Sequence, residues 1–123
     1  MSAAQQLAAY RTVQKITSSG RELEAVVLSR AAQKLAEVKN NWDAPDLDGR
    51  LDEALRYNQQ IWSIFQGELL KENNPLPRQL RADILSLSAF IDRRIIEVMS
   101  YPESKKLDVI ININLNIAAG LRG

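Results

Sequence analysis

Apolar residues recur every three or four positions along most of the chain, which is the spacing of one face of an α-helix. One such segment begins at a capping box of Ser19 and Glu22 and ends at Asn40. Two more run from about Leu47 to Lys71 and from about Arg78 to Ser100. The last two are separated by Asn73-Asn74-Pro75-Leu76-Pro77, a string that favours a helix end followed by a turn. The pattern therefore predicts three long amphipathic helices.

The segment from Arg78 to Ser100 has the broadest apolar face of the three. Its main stripe consists of Leu80, Ile84, Leu87, Ile91, Ile95 and Val98, and the residues that widen it are Leu85, Phe90 and Ile96. A face this wide predicts contact with two or more neighbouring helices.

Both ends of the chain are less clear. The segment from about Ala3 to Lys15 is rich in Ala and Gln and only weakly amphipathic. Residues 1–17 therefore allow two interpretations, an ordered helical arm and a mobile, frayed N-terminal arm. In the last segment, apolar residues alternate with Asn112, Asn114 and Asn116, which by itself indicates a β-strand. The same segment also fits a helical stripe, whose positions are Leu107, Ile110, Ile111, Asn114, Ile117, Ala118 and Leu121. We favour the helix, because a single strand would have no partner in the rest of the chain.

The expected fold is thus all-α, a small bundle of about five helices in a single domain that spans residues 1–123. The length of 123 residues suits one domain, and a hydrophobic fraction of 46% is enough for a core. The chain has no cysteine and no apolar run long enough to cross a membrane. Nothing near Met1 resembles a secretory signal, so we expect a cytoplasmic protein.

The sequence lacks the residue types and motifs that most often carry out catalysis. There is no histidine and no cysteine, and no Gly-rich phosphate loop, nucleophile elbow or zinc-binding HExxH pair occurs. The string Asp46-Leu47-Asp48-Gly49 copies the middle of a calcium-binding EF-hand loop, but Ala44 and Leu55 occupy positions where the loop needs acidic ligands. An acid-rich helix start explains the string better. We therefore predict a protein that is not an enzyme and has no cofactor and no metal.

Two groups of residues each allow two interpretations. Trp62 and Phe65 lie three positions apart on one helical face, either in the core or in a groove for a partner. A group of basic residues forms either a surface that contacts RNA or a solvated surface with salt bridges. The second is favoured, because the 16 Lys and Arg residues are nearly balanced by 15 Asp and Glu residues and no aromatic residues are interleaved to stack on bases. The members of the basic group are Arg78, Arg81, Arg93, Arg94, Lys105 and Lys106.

Several strings, read in order, resemble the bacterial flagellar biosynthesis regulator family FlaF. They are Tyr10, Arg21-Glu22-Leu23-Glu24-Ala25, Ile61-Trp62-x-x-Phe65, Asn74-x-Leu76-Pro77-x-x-Leu80-Arg81-Ala82, and Ile113-Asn114-x-Asn116-Ile117-Ala118-Ala119-Gly120-Leu121-Arg122. The resemblance runs from about Tyr10 to Arg122. The alternating Asn112, Asn114 and Asn116 differ from the sequence of a typical family member. The resemblance therefore does not predict the outer surface of the last helix.

The resemblance implies a flagellum assembly factor that binds flagellin, the filament subunit, as a cytoplasmic secretion chaperone and regulates flagellin production after transcription. It implies FlbT, a companion regulator, as a second candidate partner. The alternative is a translational regulator that associates with flagellin messenger RNA, directly or together with FlbT.

Helix-in-groove recognition is the expected mechanism, in which the chain covers an amphipathic helix of flagellin. The residues expected to form or support the groove are Trp62, Phe65, Phe90, Asn114, Ile117 and Leu121. Arg81 has two possible roles, a cap or salt bridge near Pro77 and a contact to an acidic residue of the partner, and we favour the first.

Overall fold

The computed structural model of the chain describes residues 2–5 and 20–122, and residues 3–5 are helical. The longer range contains α1 (Gly20–Asn40), α2 (Leu47–Leu69), α3 (Arg78–Ser100), a short 3-10 helix (Ser104–Lys106) and α4 (Leu107–Arg122). No strand occurs in these two ranges. The predicted all-α bundle is therefore confirmed. The capping residue Ser19 and most of the predicted N-terminal arm lie outside the described residues.

The helix boundaries agree closely with the periodicity. α1 ends at the predicted Asn40, and α3 has the predicted bounds. α2 ends at Leu69, two residues before the predicted Lys71, because its last turn tightens. The amide of Lys71 bonds to the Glu68 carbonyl at 3.3 Å, three residues back, where an α-helix would bond four residues back.

The last segment is a helix, as predicted. The residues that α4 buries are spaced three or four apart, namely Leu107, Ile110, Asn114 and Ala118. Asn112 and Asn116 are exposed, so the alternation of polar residues does not reflect a sheet. Asn114, which the periodicity places on the helical stripe, is fully buried.

Pairs of contacts fix the direction of each helix. Lys34 approaches Glu53 at 3.7 Å while Asn58 reaches the carbonyl of Ala31, so α1 and α2 are antiparallel. Gln66 bonds to Asp92 at 2.9 Å, and the start of α2 lies beside the end of α3, so this pair is antiparallel as well. α4 then runs back along α1 and also contacts α2.

The contact between α1 and α4 is the most extensive helix pair in the described part of the chain. Small residues let the two backbones approach closely, because Ala25 and Ala31 on α1 and Ala118 on α4 are completely buried. Ion pairs close both ends of the pair, Lys39 with Asp108 and Arg122 with Glu22. Such surface pairs contribute at most about 1 kcal/mol each, so apolar packing supplies most of the stability of this contact.

A chain of hydrogen bonds crosses the apolar core between α1, α2 and α4. The Trp62 indole N–H donates to the Asn114 side-chain oxygen at 2.8 Å, and the Asn114 amide donates to the Asn58 oxygen at 2.6 Å. The Asn58 amide donates in turn to the carbonyls of Ala31 at 3.1 Å and Ala54 at 2.9 Å. Because every donor finds an acceptor, these polar groups avoid the desolvation penalty of burial.

The main apolar stripe of α3 is fully buried only in the second half of the helix. Ile91, Ile95 and Val98 are completely buried. In the first half, by contrast, Leu80 is 44% exposed, and Ile84 and Leu87 are half-buried. The face therefore extends beyond what the bundle itself covers.

No described helix is both long enough and apolar enough to cross a lipid bilayer.

We expect Asn114→Ala to lower the free energy of unfolding by on the order of 2–4 kcal/mol, because it leaves the Trp62 N–H and the Asn58 oxygen buried without partners. Asn112→Ala, at an exposed position of the same helix, is the matched control and should change stability by less than about 0.5 kcal/mol. Chemical denaturation of both variants measures the difference. Equal stabilities would contradict a structural role for the hydrogen-bond chain.

Candidate binding site

All four helices contribute to an apolar depression near the C-terminal end of α2. Its volume is about 60 Å³. The lining residues are Glu24 and Leu28 on α1, Trp62, Phe65, Glu68 and Leu69 on α2, Asn74 and Leu76 in the connection, Ile84 on α3, and Ile117 and Leu121 on α4. We refer to this site as the apolar depression.

The floor of the apolar depression is held from below by the hydrogen-bond chain. Trp62 is 1% exposed, and its indole N–H points away to Asn114. Its ring meets the ring of Phe65 edge-on, with centroids 6.2 Å apart and an angle of 68° between the ring planes. This is a favoured geometry for two aromatic rings. Phe65 is half-buried, so one part of its ring packs on the core and the other is accessible.

One wall is the connection between α2 and α3, residues 70–77, and side chains fix its shape. The Asn74 amide donates to the Glu68 carbonyl at 3.0 Å, and its oxygen accepts the Leu76 amide N–H at 3.0 Å. Arg81 reaches back from α3 and donates to the Lys71 carbonyl at 3.1 Å. These hydrogen bonds use carbonyl groups near the end of α2, where the helix provides no further amide donors. They also position Leu76 against the apolar depression.

Four of the seven predicted site residues come together here, because Trp62, Phe65, Ile117 and Leu121 all line the apolar depression. Asn114 is fully buried and supports the floor through Trp62, so in this fold it does not face a partner.

The other two predicted residues lie elsewhere. Arg81 donates to the Lys71 carbonyl and so anchors the connection to α3. Phe90 is half-buried against the core with the Arg94 guanidinium 5.6 Å from its ring centroid, and it is not among the residues of the apolar depression.

Sequence reasoning missed several lining residues, above all Leu28, Leu76 and Ile84. Leu28 and Ile84 look like ordinary members of helical stripes, and nothing in the stripe marks them as facing a cavity. Leu76 had a signal, because it stands between Pro75 and Pro77 in the string that most strongly indicates a structured turn.

The size and lining of the apolar depression limit its chemistry. Small-molecule sites usually enclose about 300–1,000 Å³, whereas the apolar depression holds about 60 Å³. It is suited to one apolar side chain that projects from a larger partner. Among the described residues, no group of three or more acidic, His or Cys side chains is placed to hold a metal ion.

Ion pairs cover much of the basic group that could have contacted RNA. Arg94 lies 3.7 Å from Glu97, Lys106 lies 3.7 Å from the same carboxylate, and Lys105 lies 3.8 Å from Glu103. The predicted salt-bridging surface is confirmed for these three residues. Pairing with acids weakens the attraction of these three cations for phosphate backbones.

The family model described as flagellar protein FlaF matches residues 6–121 of the chain. Neither a curated protein nor a solved structure matches the chain significantly.

We expect Asn74→Ala to loosen the wall of the apolar depression and to destabilise the fold by about 1 kcal/mol, because two side-chain hydrogen bonds are lost. Hydrogen exchange of the Leu76 amide should accelerate, since that N–H loses its acceptor. Asn73→Ala, at the exposed neighbouring position, should leave both stability and the Leu76 exchange rate unchanged. An unchanged Leu76 rate in Asn74→Ala would show that the bond does not hold the connection.

Proposed function

Because the chain belongs to the flagellar protein FlaF family, we propose that it binds unassembled flagellin in the cytoplasm as a secretion chaperone. Through that binding it regulates flagellin production after transcription. Membership of the family establishes a role connected with the flagellum, and the choice of flagellin as the bound partner is our proposal.

The convergence of Phe65, Ile117 and Leu121 on one apolar depression is the observation that carries this proposal. Each is half-buried, so each is available at the surface while its base is fixed by the core. Accessible apolar groups at a preformed concave surface are typical of protein recognition sites, because little ordering is needed when the partner docks.

The accessible apolar surface continues along the first half of α3. Leu80 lies one helical turn before Ile84, which lines the apolar depression, and 44% of Leu80 is exposed. An amphipathic helix of flagellin could place one anchor residue in the apolar depression and lay a further apolar residue along Leu80. Covering those residues would prevent flagellin subunits from associating before export.

Direct binding of flagellin messenger RNA is less well supported. Among the described residues, none that lines the apolar depression is cationic, and Arg94, Lys105 and Lys106 are paired with acids. FlbT remains a proposed second partner, which could join the complex once flagellin is bound.

We expect Phe65→Ala to weaken flagellin binding by about tenfold or more, because truncating an aromatic anchor removes most of its buried contact area. Leu115→Ala is the matched control, since Leu115 is 46% exposed on α4 and is not a lining residue. Titration of purified flagellin measures both affinities, and circular dichroism verifies that each variant is folded. Equal affinities would contradict the proposed site.

Cross-linking locates the contact independently of affinity. The chain has no cysteine, so Leu121→Cys introduces a unique thiol for a photoactivatable label at the apolar depression. We expect cross-links to flagellin from Leu121→Cys and few from Leu115→Cys. The affinity for flagellin should be similar at low and high salt. The affinity for a labelled flagellin transcript, by contrast, should fall steeply as the salt concentration rises. Binding of the transcript without any cross-link to flagellin would favour the RNA alternative.

A further inference from the structure

A second concave surface lies at the opposite end of α2. It is a groove of about 260 Å³ between the first turns of α2 and the end of α3, lined by Asp48, Leu51, Asp52, Leu55, Met99 and Pro102. The four α2 residues follow i, i+3, i+4 and i+7 spacing, so they occupy one face of the helix. Leu51 and Leu55 are almost fully buried and form the floor, while both aspartates are exposed at the rim. We refer to this surface as the acidic groove.

The stretch of chain that supplies Met99 and Pro102 to the acidic groove also carries exposed apolar side chains. Met99 is 39% exposed, and Ile96 and Tyr101, close to it in sequence, are 59% and 73% exposed. Single exposed apolar residues are ordinary, but three within one short stretch that lines a concave surface indicate an interaction site.

The turn that carries these residues is held rigidly. The Lys106 ammonium donates to the Tyr101 carbonyl at 2.7 Å and lies 5.8 Å from the centroid of the Tyr101 ring. The same ammonium pairs with Glu103 at 3.5 Å and with Glu97 at 3.7 Å. A partner would therefore meet a preformed surface and would not have to order it.

The charge at the rim determines the kind of partner. Asp52 pairs with Arg56 at 2.8 Å, but no described residue supplies a cation to Asp48. The dipole of α2 favours Asp48 in the first turn, yet it does not explain why apolar groups stay exposed beside that carboxylate. The unpaired Asp48 carboxylate at the edge of an apolar floor disfavours phosphate backbones and anionic lipids, and it complements a cation flanked by apolar side chains.

We propose that the acidic groove binds a basic amphipathic helix of a partner protein, with apolar residues over Leu51, Leu55 and Met99 and a lysine or arginine beside Asp48. A second copy of this chain fits poorly, because a two-fold contact would place the aspartates of one groove against those of the other. This site is separate from the apolar depression and does not depend on flagellin binding there.

Methionine methyl resonances test the proposal at one site. The chain has two methionines, Met1 and Met99, and Met99 lines the acidic groove, so methyl-labelled protein reports that groove through the Met99 signal. The probe is a peptide of about 15 residues with leucine at helical spacing and lysine on both flanks. The control peptide has glutamate at each lysine position.

We expect the lysine peptide to shift the Met99 resonance and the glutamate peptide to leave that resonance unchanged. Asp48→Lys should weaken the response of Met99 at least tenfold. Glu72→Lys makes the same charge change at an exposed position outside the acidic groove and should leave the response unchanged. Asp48→Asn, which only removes the charge, should give an intermediate affinity and guards against misfolding of the lysine variant.

A Met99 resonance that is silent to the lysine peptide would overturn the proposal, as would equal responses to the two peptides. A Met99 shift on simple dilution of the protein would identify a second copy as the occupant and would also overturn it.

Discussion

Asn114 is a polar residue on the buried face of α4, and the other residues that this helix buries are apolar. It is held there by Trp62 on one side and Asn58 on the other. Sliding α4 by one turn, about 5.4 Å, would separate Asn114 from both partners, whereas apolar contacts are non-directional and would re-form more readily. The register of α4 therefore depends on this residue. The apolar depression depends on it too, because Ile117 and Leu121 must arrive beside the ring of Trp62.

The helices were predictable because burial of one face imposes its own period on the sequence. α3 shows this best, since its bounds match and its stripe residues Ile91, Ile95 and Val98 are completely buried. The last segment was ambiguous for a physical reason as well. Its buried stripe contains an asparagine, so polarity by itself does not distinguish the buried Asn114 from the exposed Asn112. Only the partners on α2 decide between them, and a single sequence does not show that pairing.

The candidate site was predictable in part. Aromatic spacing and the family strings pointed to Phe65, Ile117 and Leu121, which the fold brings together. Helical spacing could not reveal that Leu28 and Ile84 face the same space, because that depends on how four helices meet. The acidic groove escaped notice for the same reason. The two surfaces occupy opposite ends of α2, and Leu51 and Phe65 are separated by roughly 20 Å along the helix axis.

The pairing of α1 with α4 joins the two most distant helices of the described chain, and Glu22 lies within 3.6 Å of Arg122. A ribosome therefore synthesises α1, α2 and α3 before the partner of α1 exists. Contacts of such large sequence separation form late, since a long loop must close first. Until α4 emerges, the Trp62 indole N–H and the Asn58 side-chain oxygen lack the Asn114 partner that they have in the finished fold, and both can bond to water. The chain made before α4 is thus hydrated at two groups that are fully buried in the finished protein.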